Sequence, residues 1–98
     1  MVLEHVILDV VPGQEADFQR TFAAATAIIT SMPGFNTLSL QRSVEHRSRY
    51  LLLVEWTRLE DHTEGFRGSP QYQGWKKLLH HFYDPLPTVE HFESVMRI

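Results

Sequence analysis

Six histidines in a chain of 98 residues are the first groups to weigh, because imidazole is the usual general base near neutral pH and a common metal ligand. His80 and His81 are neighbours. On a helix their side chains diverge by about 100°, so they cannot chelate one ion together and at most one enters a cavity. Near a helix C-terminus either also serves the helix end, where imidazolium is favoured. His62, beside Asp61 and near Glu64, reads either as part of a solvated charged face or as a base. His5 with Asp9, and His91 with Glu93, sit two or four residues apart on strand faces. Such pairs orient an imidazole or simply form cross-strand polar contacts. With no nucleophile or third ligand nearby, the structural reading leads. His46 lies in a turn and is given no role.

Trp56, Phe66, Tyr72, Trp75, Phe82 and Tyr83 form a dense aromatic set. Aromatics at helical spacing read first as core, yet the polar tips of Tyr and Trp also suit an apolar pocket for a flat aromatic ligand. Asn36, just after Pro33-Gly34, is a strand-start residue or an amide for a ligand carbonyl. The five glycines, at 13, 34, 65, 68 and 74, punctuate turns or interrupt helices. They build no phosphate loop, and the nucleophile elbow and the His-Glu-x-x-His zinc motif are also missing. Cysteine is absent, which removes a disulfide scaffold, a thiolate zinc site, an iron–sulfur cluster and a cysteine nucleophile.

These groups need elements to hold them. Val2 to Val11 is aliphatic on both faces and stopped by Pro12-Gly13, which reads as a strand covered on both sides. Phe18, Phe22, Ala25 and Ile29 then fall at helical spacing, with Glu15 and Asp17 near the start, and the helix ends at Met32-Pro33-Gly34. Phe35 to Ser43 and Arg49 to Trp56 form a hairpin around Glu45-His46-Arg47-Ser48. A short helix is expected over Leu59 to Arg67 and a longer one over Pro70 to His81, capped by Ser69 with Pro70 at its first position. Thr88 to Val95 alternates as a last strand. The order βαββαβ, with right-handed crossovers, is a split βαβ or ferredoxin-like α+β sandwich with an antiparallel sheet, a single domain over residues 1–98. Helices cover one face. Leu3, Ile7, Leu51 and Leu53 on the other are poorly suited to water, and two sheets packed face to face in a homodimer would cover them.

Composition limits the partners. Nine Lys and Arg against twelve Asp and Glu give a net charge of −3, without the basic stripe that nucleic acid requires. No basic segment followed by an apolar run opens the chain, and the uncharged stretch Thr21 to Thr37 is too polar to span a membrane. The expectation is a cytoplasmic protein without nucleic-acid or membrane partners.

The string Tyr50-Leu51-Leu52-Leu53-Val54-Glu55-Trp56, then Leu59-Glu60-Asp61-His62, Ser69-Pro70-Gln71-Tyr72 and Val89-Glu90-His91-Phe92-Glu93, resembles the antibiotic biosynthesis monooxygenase domain of the dimeric α/β-barrel superfamily. The resemblance covers nearly the whole chain. It implies a ferredoxin-like protomer packed on its twin as a barrel, with a cavity between sheet and helices. Family members include cofactor-free oxygenases of polyphenolic or quinone-forming substrates and heme-degrading enzymes. The heme-degrading branch carries Asn, Trp and His where this chain has Val6, Phe66 and Lys76, so heme cleavage is not carried over. Many members also flank the Ser-Pro cap with histidines, where this chain has Phe66 and Gln71.

The resemblance therefore suggests a monooxygenase needing no cofactor and no metal, acting on a small aromatic ligand. An electron-rich phenol would be ionised in a dry pocket and would itself reduce dioxygen. His62 or His80 would act as base, with Tyr72, Trp75 and Asn36 as orienting polar tips and Phe66 as a pocket wall. The alternatives are a dimeric module that binds a small ligand without catalysis and, less favoured, heme bound through His62 or His80.

Overall fold

The computed structural model describes residues 1–98. Its elements run β1 (Val2–Asp9), α1 (Glu15–Thr30), β2 (Phe35–Arg42), β3 (Arg49–Trp56), a wide π-helical turn (Asp61–Phe66), α2 (Pro70–Leu79), a 3₁₀ turn (His80–Phe82) and β4 (Val89–Phe92). The four strands are all antiparallel and lie in the order β2-β3-β1-β4. This is the expected ferredoxin-like sandwich. No helix is long and apolar enough to cross a membrane.

Strand alternation divides the sheet. Val6, Leu8, Tyr50, Leu52, Val54 and Trp56 point under the helices and are buried. Phe18 of α1 joins the layers: its ring lies 4.9 Å from that of Tyr50, 5.6 Å from Phe22 and from Phe82, and 5.8 Å from Tyr83. Each such tilted or edge-on pair adds about 0.5–1.5 kcal/mol beyond its buried area. On the opposite face the register sets Leu3 and Ile7 beside Leu53 and Leu51, with Phe92 at the edge. Ile7 and Phe92 are exposed there.

The second half departs from expectation in three places. The short helix is a π turn, in which Arg67 N–H donates to the His62 carbonyl five residues back at 3.0 Å. His62 and Phe66, four residues apart, both face inward and are its buried residues. Gly68 permits the exit, because a Cβ there would stand 2.5 Å from the Glu64 carbonyl oxygen. The longer helix starts as expected, with Ser69 Oγ accepting from Tyr72 N–H at 3.2 Å and Pro70 behind it. It tightens at His80 into a 3₁₀ turn that brings Phe82 into the core. The last strand is shorter than the alternation suggested, since pairing with β1 covers only Val89 to Phe92.

Gly34 anchors the turn that carries His62. It adopts φ +83°, and a Cβ on it would overlap the Asp61 carboxylate. That carboxylate accepts from Arg58 N–H at 3.0 Å. Gly13 has φ +94° with open space around it. Gly34→Ala should therefore lose the backbone term of about 1–3 kcal/mol plus a steric term, whereas Gly13→Ala should lose the backbone term alone. Urea denaturation of the two variants checks this: equal losses would refute the close Gly34–Asp61 contact.

Candidate functional site

Glu4 is the one charged residue on the covered face of β1, and it is 5% exposed. Antiparallel register sets it directly opposite His91 of β4. The π turn lowers His62, 3% exposed, between them. Trp56 Nε1–H donates to Glu4 Oε1 at 2.9 Å. His62 Nε2 stands 3.4 Å from the same oxygen, and His62 Nδ1 lies 2.7 Å from His91 Nε2. The His62 ring stacks on Trp56, 5.3 Å between centroids and 18° from parallel. The result is a file of three groups, carboxylate, imidazole and imidazole, with Trp56 as floor.

Burial decides the charge states. Desolvation, then the Arg67 and His91 charges, pushes His62 down to about 3, so its ring is neutral at neutral pH. Its contact with Glu4 is close enough for an ion pair. The pair is better described as a neutral imidazole in contact with the acid at 3.4 Å, without a hydrogen bond between them, because two buried charges would each forfeit hydration. Burial also raises Glu4 above the usual carboxylate range, partly offset by the Trp56 hydrogen bond and by Arg67. His91 is held low by its own partial burial and by Arg67.

Glu4 and His62 open onto a cavity under α2 that also touches Phe66, Arg67, Tyr72, Trp75, His80 and Tyr83. Its far end is aromatic. The Phe66 ring lies 5.3 Å from Tyr72 and 5.8 Å from Trp75, and His80 lies 6.3 Å from Tyr72 and 6.0 Å from Tyr83. Desolvation and nearby Lys76 depress His80, and burial raises the Tyr83 phenol. The free space is about 50 Å³, enough for a water or two. An aromatic ring would need part of the lining to move; Tyr72, His80, Pro87 and Val89 are its half-exposed members and Arg67 is exposed.

Five of the residues singled out from sequence, His62, His80, Tyr72, Phe66 and Trp75, line this one cavity. Asn36 does not. Its amide lies exposed at a β2 irregularity and donates to Gly34 O at 3.3 Å and Thr57 Oγ1 at 3.2 Å. His62 belongs to no solvated face. His91 pairs with His62 across elements rather than with Glu93 on its own strand, and His5 packs edge-on against Phe92 at 5.4 Å. Of the neighbouring pair, His80 enters the cavity and His81 lies exposed against Phe82. Glu4, Arg67 and Tyr83 were not among the sequence candidates for the site. For Glu4 the signal was present: a lone acid on the otherwise aliphatic face Val2, Val6, Leu8, Val10.

Glu4 and His91 address opposite nitrogens of His62, so the three cannot share one ion, and no group of three or more such side chains is placed to hold a metal.

The family model described as antibiotic biosynthesis monooxygenase matches residues 1–78. The chain belongs to this family. A monooxygenase-family relative of known structure, from Bordetella bronchiseptica, shares 34% identity over 97% of both chains, with a TM-score of 0.92. YczJ of Bacillus subtilis (strain 168) is 55% identical over 95 residues, 97% of this chain and all of that protein. SnoaB of Streptomyces nogalater, a cofactor-independent oxygenase, is similar at 22% identity, covering 99% of this chain and 95% of its own, with a TM-score of 0.77. That last similarity is one of fold.

The buried imidazoles make stability depend on pH. His62, His80 and His91 all bind protons less readily folded than unfolded, so stability falls as pH drops below 6.5, for His62 down to about 3. Glu4 acts in the opposite sense, its contribution weakening as pH rises above 4.5. His62→Leu should therefore flatten the dependence of Tm on pH between these two values. Circular-dichroism melts across the range measure it, and an unchanged slope would mean that His62 is not held neutral.

Proposed function

We propose that this protein is a cofactor-independent monooxygenase acting on a small phenolic or quinone-forming substrate in the cavity beneath α2. The observation that carries the reading is a buried carboxylate–imidazole pair opening onto a small cavity walled by Phe66, Tyr72 and Trp75. A phenol bound there loses its proton to a neutral imidazole, His62 or His80. The phenolate passes one electron to dioxygen, the two radicals join at a ring carbon, and the peroxide, once protonated, loses its ring C–H proton to a base as the O–O bond breaks. One oxygen stays on the ring and the other leaves as water, so the substrate supplies all the electrons. Low local polarity favours electron transfer from the phenolate, and fixed donors such as Tyr72 and Trp75 orient the ring against Phe66. Asn36 has no part in this.

The small free volume favours a second reading, a module that holds a small hydrophobic ligand without converting it. Anthrone, which enolises to an electron-rich phenol, separates the two. Under the oxygenase reading it is converted to anthraquinone with oxygen uptake, and His62→Ala, His80→Ala or Tyr72→Phe lowers kcat by about a hundredfold for whichever group is the proton acceptor and less for an orienting group. Saturable binding by fluorescence without oxygen uptake would establish the binding module instead. Turnover unaffected in all three variants would remove these residues from the mechanism.

We also propose a cytoplasmic homodimer formed by the open sheet face. Leu3, Ile7, Leu51 and Leu53 set an apolar strip on that face among His5, Asp9, Arg49 and Glu55, and a 98-residue chain has little core of its own. Leu51→Glu combined with Leu53→Glu should give a monomer in analytical ultracentrifugation. A dimer of undiminished affinity would direct the interface elsewhere.

A further inference from the structure

The file Glu4–His62–His91 leads from the inside of the protein to the outside. Glu4 and His62 line the cavity under α2. His91 instead lines a separate surface depression with Val2, Leu59, Phe92 and Glu93. His62 is thus the partition between two spaces, with one ring nitrogen turned toward each end of the file. A core histidine needs one partner per nitrogen to be satisfied. It does not need those partners to be titratable, nor to reach opposite sides of a wall.

We propose that Glu4, His62 and His91 form a proton path between the cavity and solvent, with His91 as its outer port. This rests on the oxygenase reading for its purpose but not for its existence. An ionised Glu4 can only accept hydrogen bonds, so we assign the proton of neutral His62 to Nε2, facing Glu4, and the bridging proton to His91 Nε2, facing His62 Nδ1. From this state the path delivers inward. The His91 Nε2 proton moves to His62 Nδ1, the His62 Nε2 proton moves to Glu4, and His91 is replenished from water through Nδ1. Glu4 then protonates an oxygen in the cavity. The reverse stroke starts from the tautomer this leaves, with His62 Nε2 unprotonated: it takes the proton of a bound phenol, directly or through Glu4, and passes its Nδ1 proton to His91 and on to water, which restores the first tautomer. One phenol proton out and one proton in to the departing oxygen balance in each turnover, with no electron moving along the path.

The charged surroundings fit such a role. Arg67, beyond the π turn, discourages an imidazolium from resting on either histidine. Glu4 is the acid facing His62 from β1, and Glu93 stands at the outer depression. Trp56 on β3 contributes only an N–H donor to Glu4. A proton is therefore passed on rather than stored, and the raised affinity of Glu4 for it makes the protonated acid accessible.

The test begins without substrate. Long-range ¹⁵N–¹H spectra of the whole protein identify the His62 tautomer, and the exchange of its ring N–H with water gives the transfer rate. His91→Gln keeps a hydrogen-bonding side chain on β4 but cannot relay. It should slow His62 N–H exchange at least tenfold and, with anthrone, lower kcat by about a hundredfold at unchanged KM. Added imidazole should restore both through the outer depression. His91→Phe should behave likewise without being tied to a new hydrogen bond. Exchange that depends on His91 in a protein that never oxidises anthrone would uphold the path and reject the oxygenase reading. Exchange and kcat both indifferent to His91, in a protein that does oxidise anthrone, would overturn the path.

Discussion

A carboxylate buried under the helices is the constraint on which this half of the molecule depends. Taking an acid out of water costs several kcal/mol unless its lone pairs are met, and Glu4 is met by the Trp56 N–H, with the His62 ring in contact at 3.4 Å. Trp56 ends β3 and His62 opens the π turn, so satisfying one side chain fixes where the chain re-enters after the sheet. An ordinary helix over the same residues would lack the five-residue bond from Arg67 to His62. The wide turn brings His62 over Trp56 and Phe66 over the cavity together. Losing any partner would leave a buried polar group unpaired, a cost of about 1–3 kcal/mol, so the three are mutually dependent rather than additive.

The sheet explains why such a group is tolerated. Its covered face is closed by α1 and α2 through the Phe18 aromatic cluster, which supplies apolar burial on the α1 side. The cavity lies on the other side, where α2 spans β1 and β4 and where polar groups gather: Glu4, His62, Arg67, His80 and two tyrosines. Stability and chemistry are thus laid out on different parts of one face. The tension shows in Phe66 and Trp75, which belong both to the core and to the cavity wall. Rigid walls orient a ring well, but they also leave little room for it. Tyr72 and Pro87, at the half-exposed rim, are where the cavity can widen without disturbing the core.

Local pattern made the fold legible. Alternation in β3, the period of Phe18, Phe22, Ala25 and Ile29, and the Ser69-Pro70 cap each agree with the structure. The site was legible only in part, because its decisive contacts are set by register and not by proximity in the chain. His91 has Glu93 two residues away, yet its partner is His62, brought to it by β4 pairing with β1. A single acid on an aliphatic strand face was the clue to Glu4, since burial there demands a donor. The π turn left no comparable sign: Leu59 to Arg67 carries a helical spacing, and only Gly65 and Gly68 hint that the winding changes. Asn36 failed as a site residue for a local reason, since an irregular β2 start spends its amide on the turn.

The same geometry bears on how the proposed oxygenase, with its substrate as the reductant, would use dioxygen. Electron transfer from substrate to oxygen generates charge in a place with little water, and that charge is tolerable only if protons move in step with it. A polar pocket open to solvent would supply protons freely but would also hydrate and quench the reactive intermediates. A sealed apolar pocket would protect them and stall. On the proposed path His62 would answer both demands, because a neutral imidazole can accept a proton at one nitrogen and donate one at the other. The half-buried His91 outside and the buried Glu4 inside are what make that exchange directional in space, and the π turn is the element that holds the ring edge-on between them.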